Sequence, residues 1–363
     1  MKEATIGIVE CRNLFGFSPM VRLRRRFSPA RLMFGAFAGM ILICFGLVPI
    51  AAAAELVQPF YSRNLNPFVQ IFGLPAVEGA KLTPEGRTEA RLVFDVASNF
   101  TSDAAQGEHI GIKGETYRSV VAIRYGLRKD LEVGIDLPHV YHGRDYLNDF
   151  IADYHDTLGL PQGGRDTAPN DDLAYAYTDN GTNLVSVAGS ASGIGDVLLS
   201  AAMPLWNDGG NSRRLALRAA LKVPTGSASD LLGSGSTDFS LRLSGEDRQT
   251  FAAARITGFG TLGALLMTEG DVIPDRQRHI VGFGTVGLGW QPLSRLALKL
   301  QLDGHTGFYD SELTQLGHFA TQLLLGGTVG ITDNLLLDIA VSEDISVDAS
   351  PDVTFNVSLR GLF

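Results

Sequence analysis

The chain has 363 residues, 45% hydrophobic and 19% charged, with 39 acidic against 30 basic side chains and only 2 cysteines. Two cysteines exclude a disulfide-stapled scaffold. A formal charge of −9 argues against a nucleic-acid partner.

Residues 1–54 read as a cleaved signal peptide for the general secretory route. A basic stretch (Arg22, Arg24, Arg25, Arg26, Arg31) precedes an apolar run from Leu32 to Ile50, then Ala51 to Ala54 and Glu55. Charged, apolar and small-residue regions in that order predict cleavage after Ala54. A retained membrane anchor is the alternative, since the run approaches the ~20 residues needed to span. The start is open, because Met20 would leave the signal intact. Arg24-Arg25-Arg26-Phe27 resembles a twin-arginine signal, but that route exports folded cargo and a barrel must reach its membrane unfolded. Cys11 and Cys44 both lie in this leader, so the mature chain has no thiol. The leader holds 7 basic and 2 acidic residues, which leaves 23 against 37 and a formal charge of −14. That balance suits a surface facing divalent cations and lipopolysaccharide.

Residues 55–86 are expected as an N-terminal periplasmic segment, with a hidden extra strand as the other reading. From Arg87 onward, apolar and polar residues alternate. Leu131, Val133, Ile135 and Leu137 oppose Glu132 and Asp136, and Leu215, Leu217, Leu221 and Val223 oppose Arg214, Arg218 and Lys222. Leu296, Leu298, Leu300 and Leu302 oppose Lys299, Gln301, Asp303 and His305, and Val353 to Leu359 alternate with Asp352 to Arg360 up to the terminal Phe363. Period two predicts strands with one apolar and one polar face, a pattern common to a soluble sandwich and a membrane barrel. The connections separate these two. The predicted strands are 88–100, 114–126, 131–142, 194–206, 213–224, 237–246, 250–266, 279–291, 295–307, 317–330, 335–344 and 352–363. Gaps after odd-numbered strands are long (101–113, 143–193, 225–236, 267–278, 308–316, 345–351) and those after even-numbered ones short. Outer-membrane barrels have even strand numbers, short periplasmic turns and longer outside loops. The expected fold is therefore all-β: a transmembrane antiparallel up-and-down β-barrel over 87–363, with about 12 strands in a range of 10–14. The glycines at 282, 284, 287 and 289 fit close packing in a strand better than a phosphate loop, because no Gly-Lys-Ser/Thr follows.

Arg63-Asn64-Leu65-Asn66-Pro67-Phe68 and Gln70-Ile71-Phe72-Gly73-Leu74-Pro75 resemble the opening of an uncharacterised Gram-negative outer-membrane family, domain of unknown function 3187. Gly193-Ile194-Gly195-Asp196-Val197 and Lys222-Val223-Pro224-Thr225-Gly226 are similar to segments of outer-membrane channels linked to meta-pathway phenol degradation. The resemblance covers most of 60–363. It implies a barrel in the bacterial outer membrane that passes small or apolar molecules, and it carries no catalytic residue.

The candidate site is the lumen. The register turns Arg118, Arg124, Glu132, Asp136, Arg214, Arg218, Lys222, Asp238, Arg242, Lys299, Asp303, His305, Asp338 and Arg360 inward. A mixed-charge lining is compatible with a narrow selective pore or with charges that pair across the lumen and plug it. In the long extracellular loop 143–193, Leu147, Ile151, Tyr154 and Leu158 recur at helical spacing, predicting a short amphipathic helix. Asp149, Asp153 and Tyr154 are its constriction candidates. Asp166, Asp171, Asp172 and Asp179 lack EF-hand spacing.

The function expected is a channel or passive uptake protein, not an enzyme, with no cofactor and no metal. A lipid-modifying hydrolase is the rival class. Asp303 and His305 share a face, and His139 lies near His142, but neither pair has a serine-centred motif. A plugged barrel with a structural or surface-binding role is the third class. Expected partners are outer-membrane lipids, lipopolysaccharide and the barrel-assembly machinery, for which the terminal Phe363 serves as the assembly signal.

Overall fold

The computed structural model describes residues 55–144, 173–210, 212–345 and 349–363. The expected signal peptide and the helix carrying Asp149, Asp153 and Tyr154 lie outside these residues.

The described strands are β1 (Thr88–Ala105), β2 (Glu108–Arg128), β3 (Leu131–Gly143), β4 (Ala174–Asp179), β5 (Thr182–Val187), β6 (Ala191–Ile194), β7 (Val197–Asn207), β8 (Arg213–Val223), β9 (Asp238–Asp247), β10 (Ile256–Met267), β11 (Ile280–Leu293), β12 (Leu296–His305), β13 (Ala320–Gly330), β14 (Leu335–Asp344) and β15 (Val353–Leu362). Each long strand pairs antiparallel with its neighbours, β3 meets β7, and β1 pairs with β15 from Glu89↔Leu362 to Ser98↔Val353. The sheet therefore closes on itself. Leaving aside β4, β5 and β6, the wall is a 12-stranded antiparallel barrel. Closure pairs the wall's backbone groups strand to strand, which hydrocarbon requires.

The burial pattern is the reverse of a soluble protein's. In β15, Thr354, Asn356, Ser358 and Arg360 are buried while Val357 is exposed. Leu298 and Leu300 of β12, Leu241 and Leu243 of β9, and Val286 and Leu288 of β11 all stand exposed on the outside. Such a continuous apolar belt is stable against lipid and not against water, which identifies the wall as membrane-spanning.

The connections depart from the expectation in three places. The first outer connection is a two-residue turn, Gln106-Gly107, because β1 and β2 run on past the predicted strand ends; both turn residues have positive φ (48° and 89°), as a tight hairpin requires. The long connection after β3 contains further strands. There β4 and β5 form a hairpin about Asn180-Gly181 that continues the wall beside β2, and β6 pairs with the top of β3. At the short-turn side, β10 begins at Ile256 and not at 250, after a single helical turn over Ala252–Ala254.

Of residues 55–86, expected in the periplasm, 55–83 instead run inside the barrel, and Pro84, Glu85 and Gly86 are exposed at its foot. Phe60, Tyr61, Leu65, Phe68, Ile71 and Phe72 are all buried, and partners such as Gln301 for Phe60 and Tyr309 for Phe68 are distant in sequence. The physical reason is the size of the lumen. Eight strands are filled by their own side chains, whereas twelve leave space that something must occupy.

Candidate functional site

The segment enters at the short-turn end, climbs the lumen, turns among aromatic residues at the long-loop end and descends to β1. On the way up it follows β12 in step. Gln58, Phe60, Ser62 and Asn64 face Lys299, Gln301, Asp303 and His305 at a constant offset of 241 residues. Two extended chains with the same period give that match. The segment makes no ladder with the wall here; wall side chains take the place of a pairing strand. The Gln301 amide accepts from the Phe60 N–H at 2.8 Å and donates to the Phe60 carbonyl at 3.4 Å, and Lys299 Nζ donates to the Gln58 carbonyl at 3.0 Å.

The descending limb is held the same way. Asp238 accepts from the Gly73 N–H at 2.6 Å, and Arg242 donates to the Ala76 carbonyl. Arg218 donates to the carbonyls of Gly79 and Lys81, both at 3.0 Å, and Glu132 accepts from the Thr83 N–H at 2.6 Å. An irregular backbone inside a barrel must satisfy its polar groups somewhere, and the wall's charged side chains do so.

Three anchors fix the segment. At the short-turn end, Arg214 forks onto the Glu55 carboxylate at 2.8 and 2.9 Å, Arg248 reaches it at 2.8 Å, and Arg360 donates to the Glu55 carbonyl. Burial opposes ionisation of Glu55, but the Arg214 hydrogen bond and the charges of Lys81, Arg248 and Arg214 prevail and hold its pKa at about 2. At mid-height, Glu78 lies between guanidiniums from three strands: Arg124 Nε at 2.8 Å, Arg242 Nη2 at 2.5 Å and Arg218 Nη1 at 3.9 Å. At the long-loop end, Phe72 stacks on Phe308 at 5.0 Å within an apolar cluster that includes Phe68, Tyr175, Leu231 and Tyr309. Over this cluster the β4–β5 hairpin is tied down by Tyr177 to Glu108 at 2.5 Å and by Arg276 to Asp179 at 2.8 Å.

Of the fourteen predicted lumen residues twelve are buried, Arg214 and Asp303 are half-buried, and most meet the segment or one another. Arg124 pairs with Asp136 at 2.6 Å, Arg218 with Glu132 at 2.6 Å, and Lys299 with Asp338 at 2.7 Å. Lys222 sits between Asp196 at 2.7 Å and Asp238 at 3.2 Å. Arg118 lines a small space with Arg63 and Asp136. Asp303 and His305 do not bond each other: Asp303 accepts from Ser62 at 2.6 Å and Thr285 at 2.8 Å, while His305 contacts Asn64 and the Thr306 carbonyl, both at 2.9 Å. Those contacts suit a neutral imidazole with Nδ1–H donating and Nε2 accepting. Asp303 and His305 are thus not coupled as an acid–base pair, while His139 lies 3.3 Å from the Ser192 hydroxyl and His142 3.1 Å from that of Thr116. Among the described residues no group of His, Cys, Asp and Glu side chains could hold a metal ion.

The sequence reading missed Glu55, Tyr61, Glu78 and Asp196. Tyr61 donates to Asp136, and Asp196 accepts from the backbone N–H groups of Thr225, Gly226 and Ser234 while pairing with Lys222. Spaces remain beside Glu78 on both sides, the larger with room for about two waters.

A closed, lipid-facing barrel with a polar, occupied interior defines an outer-membrane-type β-barrel. The chain belongs to the family described as "Protein of unknown function (DUF3187)", whose model matches residues 38–363. Among solved structures it resembles the COG4313 outer membrane channel from Pseudomonas putida F1. That match has a TM-score of 0.53 and 14% identity and covers 78% of this chain and 98% of that one. This likeness shows the fold. Weaker likenesses include the NanC porin (TM-score 0.42, 8% identity, covering 76% and 98%) and the Ralstonia pickettii toluene transporter TbuX (TM-score 0.36, 11% identity, covering 77% and 89%). No curated protein matches the chain.

Proposed function

We propose that this protein is a bacterial outer-membrane channel for small molecules, closed in the state described by its own N-terminal segment. The short turns then face the periplasm and the β4–β5 hairpin faces outside. The observation that carries this reading is the way the segment is held. It occupies the lumen through side-chain contacts, and among the described residues its one β-bridge to the wall is Glu85 to Gly126 at the foot of β1. A permanent filling is served at least as well by apolar side chains, since buried ion pairs add little net stability over packed hydrophobic residues. Polar, individually reversible contacts suit a segment that withdraws and leaves a wetted path. Lipid contact follows from the apolar belt. Lipopolysaccharide on the outer face and the barrel-assembly machinery are the further partners proposed. The apolar cluster over the tip favours one other reading, a permanently plugged barrel that works through its outer surface.

The absence of cysteine after residue 54 allows a clean test. A Cβ placed on Gly289 lies 3.3 Å from that of Val57, near the ~3.5–4.5 Å span of a disulfide. A Val57→Cys/Gly289→Cys barrel should be silent in planar bilayers when oxidised and should conduct when reduced. Equal behaviour in both states would favour the permanent plug.

A further inference from the structure

The Glu78 anchor differs from the other contacts of the segment. Wall carboxylates already serve two of its three arginines: Arg124 has Asp136 and Arg218 has Glu132. Arg242 has only segment atoms as hydrogen-bonding or ion-pairing partners among the described contacts, the Ala76 carbonyl and the Glu78 carboxylate. This layer of the lumen is neutral with Glu78 in place and carries one formal positive charge without it. The three guanidiniums come from β2, β8 and β9, so rigid wall strands fix them and withdrawal of the segment leaves them in position. What remains is a preformed set of donors aimed at a point that now holds two carboxylate oxygens, with small spaces on either side.

We propose that Arg124, Arg218 and Arg242 form a binding site for the carboxylate of a small anionic solute, and that Glu78 occupies it as a resident stand-in while the barrel is closed. The transport role of this site rests on the channel reading above; the site itself does not. A solute carboxylate competes with Glu78 for the same donors, so its arrival at the layer and the release of the descending limb are one exchange. Arg242 is the residue on which the exchange turns, because it alone of the three has no wall carboxylate.

The test is chemical rescue. Glu78→Ala removes the resident carboxylate, and acetate and acetamide are the probes, nearly equal in shape and differing in charge. Acetate at ten times its Kd should raise the folded-to-unfolded ratio of the Glu78→Ala barrel about 11-fold, read as a shift in the heat-modification midpoint. Acetamide should not, and the wild type should respond to neither. If Glu78→Ala assembles poorly, the yield of heat-modifiable barrel refolded in acetate against acetamide gives the same readout. The effect should vanish in Glu78→Ala/Arg242→Gln. Equal responses to the two probes, or an acetate response that survives Arg242→Gln, would overturn the assignment. Conductance separates the two claims: silence of the reduced cysteine variant defeats the channel reading, whereas rescue decides the site.

Discussion

Lys299 is where the physical account is most exposed to refutation. Its ammonium lies 2.7 Å from Asp338, 3.0 Å from the Gln58 carbonyl and 3.8 Å from the centre of the Phe60 ring. The two charged side chains are 0% and 2% exposed. Lys299→Met keeps the bulk of the stem and removes the charge, leaving Asp338 with Thr328 at 2.6 Å as its nearest support. Breaking one partner of a buried pair costs about 3–5 kcal/mol, most of it the stranded ion. Lys299→Met/Asp338→Asn removes that ion, so it should lose less than the sum of the single changes, with a coupling of about 2 kcal/mol. Urea unfolding in detergent micelles, read by Trp206 and Trp290 fluorescence and by heat-modifiable mobility, measures both quantities. A loss below about 1 kcal/mol for Lys299→Met, or simple additivity in the double variant, would show that water reaches this pair and that the segment does not seal the lumen.

Two other outcomes follow, one from the Glu55 anchor and one from the β1–β15 seam. The folded-state pKa of Glu55 is depressed from 4.5 to about 2, so its carboxylate contributes stability above 4.5 that is lost as pH falls through about 2. The heat-modification midpoint should fall across that window, and less steeply in Glu55→Gln; parallel curves would remove Glu55 as an anchor. Deleting Phe363 should lower the yield of assembled barrel, because its backbone exchanges hydrogen bonds with Thr88 at 2.8 and 3.1 Å and its carbonyl accepts from Arg87, closing the β1–β15 seam. An unchanged heat-modifiable yield would count against this.

Much of the wall was legible because period-two alternation is a local property: Lys299, Gln301 and Asp303 point inward for the same reason that Leu298 and Leu300 point outward. The β4–β5 hairpin was legible too, since Tyr175 and Tyr177 alternate up to Asn180-Gly181, a strong short-range hairpin signal that the expected loop overlooks. The contents of the lumen were not. Residues 55–84 show no apolar–polar alternation and no helical spacing, and their wall partners lie as far as 305 residues ahead, so a local window of sequence does not contain both sides of such a contact. One signal was present: Phe60, Tyr61, Phe68 and Phe72 form an aromatic-rich stretch between the leader and a barrel too wide to fill itself.

The inward charges have two roles, which explains why neither a pure pore lining nor a pure plug describes them. Lys299, Arg218 and Arg242 each reach a carboxylate and also a backbone carbonyl of the segment. An apolar wall would leave those carbonyls unsatisfied, at about 1–3 kcal/mol for each one buried. A wall of neutral polar side chains would satisfy them but would hold no position for Glu55 or Glu78. Arginine and lysine provide both functions, and only the second depends on charge. Replacing Arg242 by Gln and by Met therefore separates the two: Gln leaves a neutral donor on the Ala76 side and Met leaves none, Glu78 loses one of its three cations in both, and the difference between the variants reports the donor while their shared loss reports the charge.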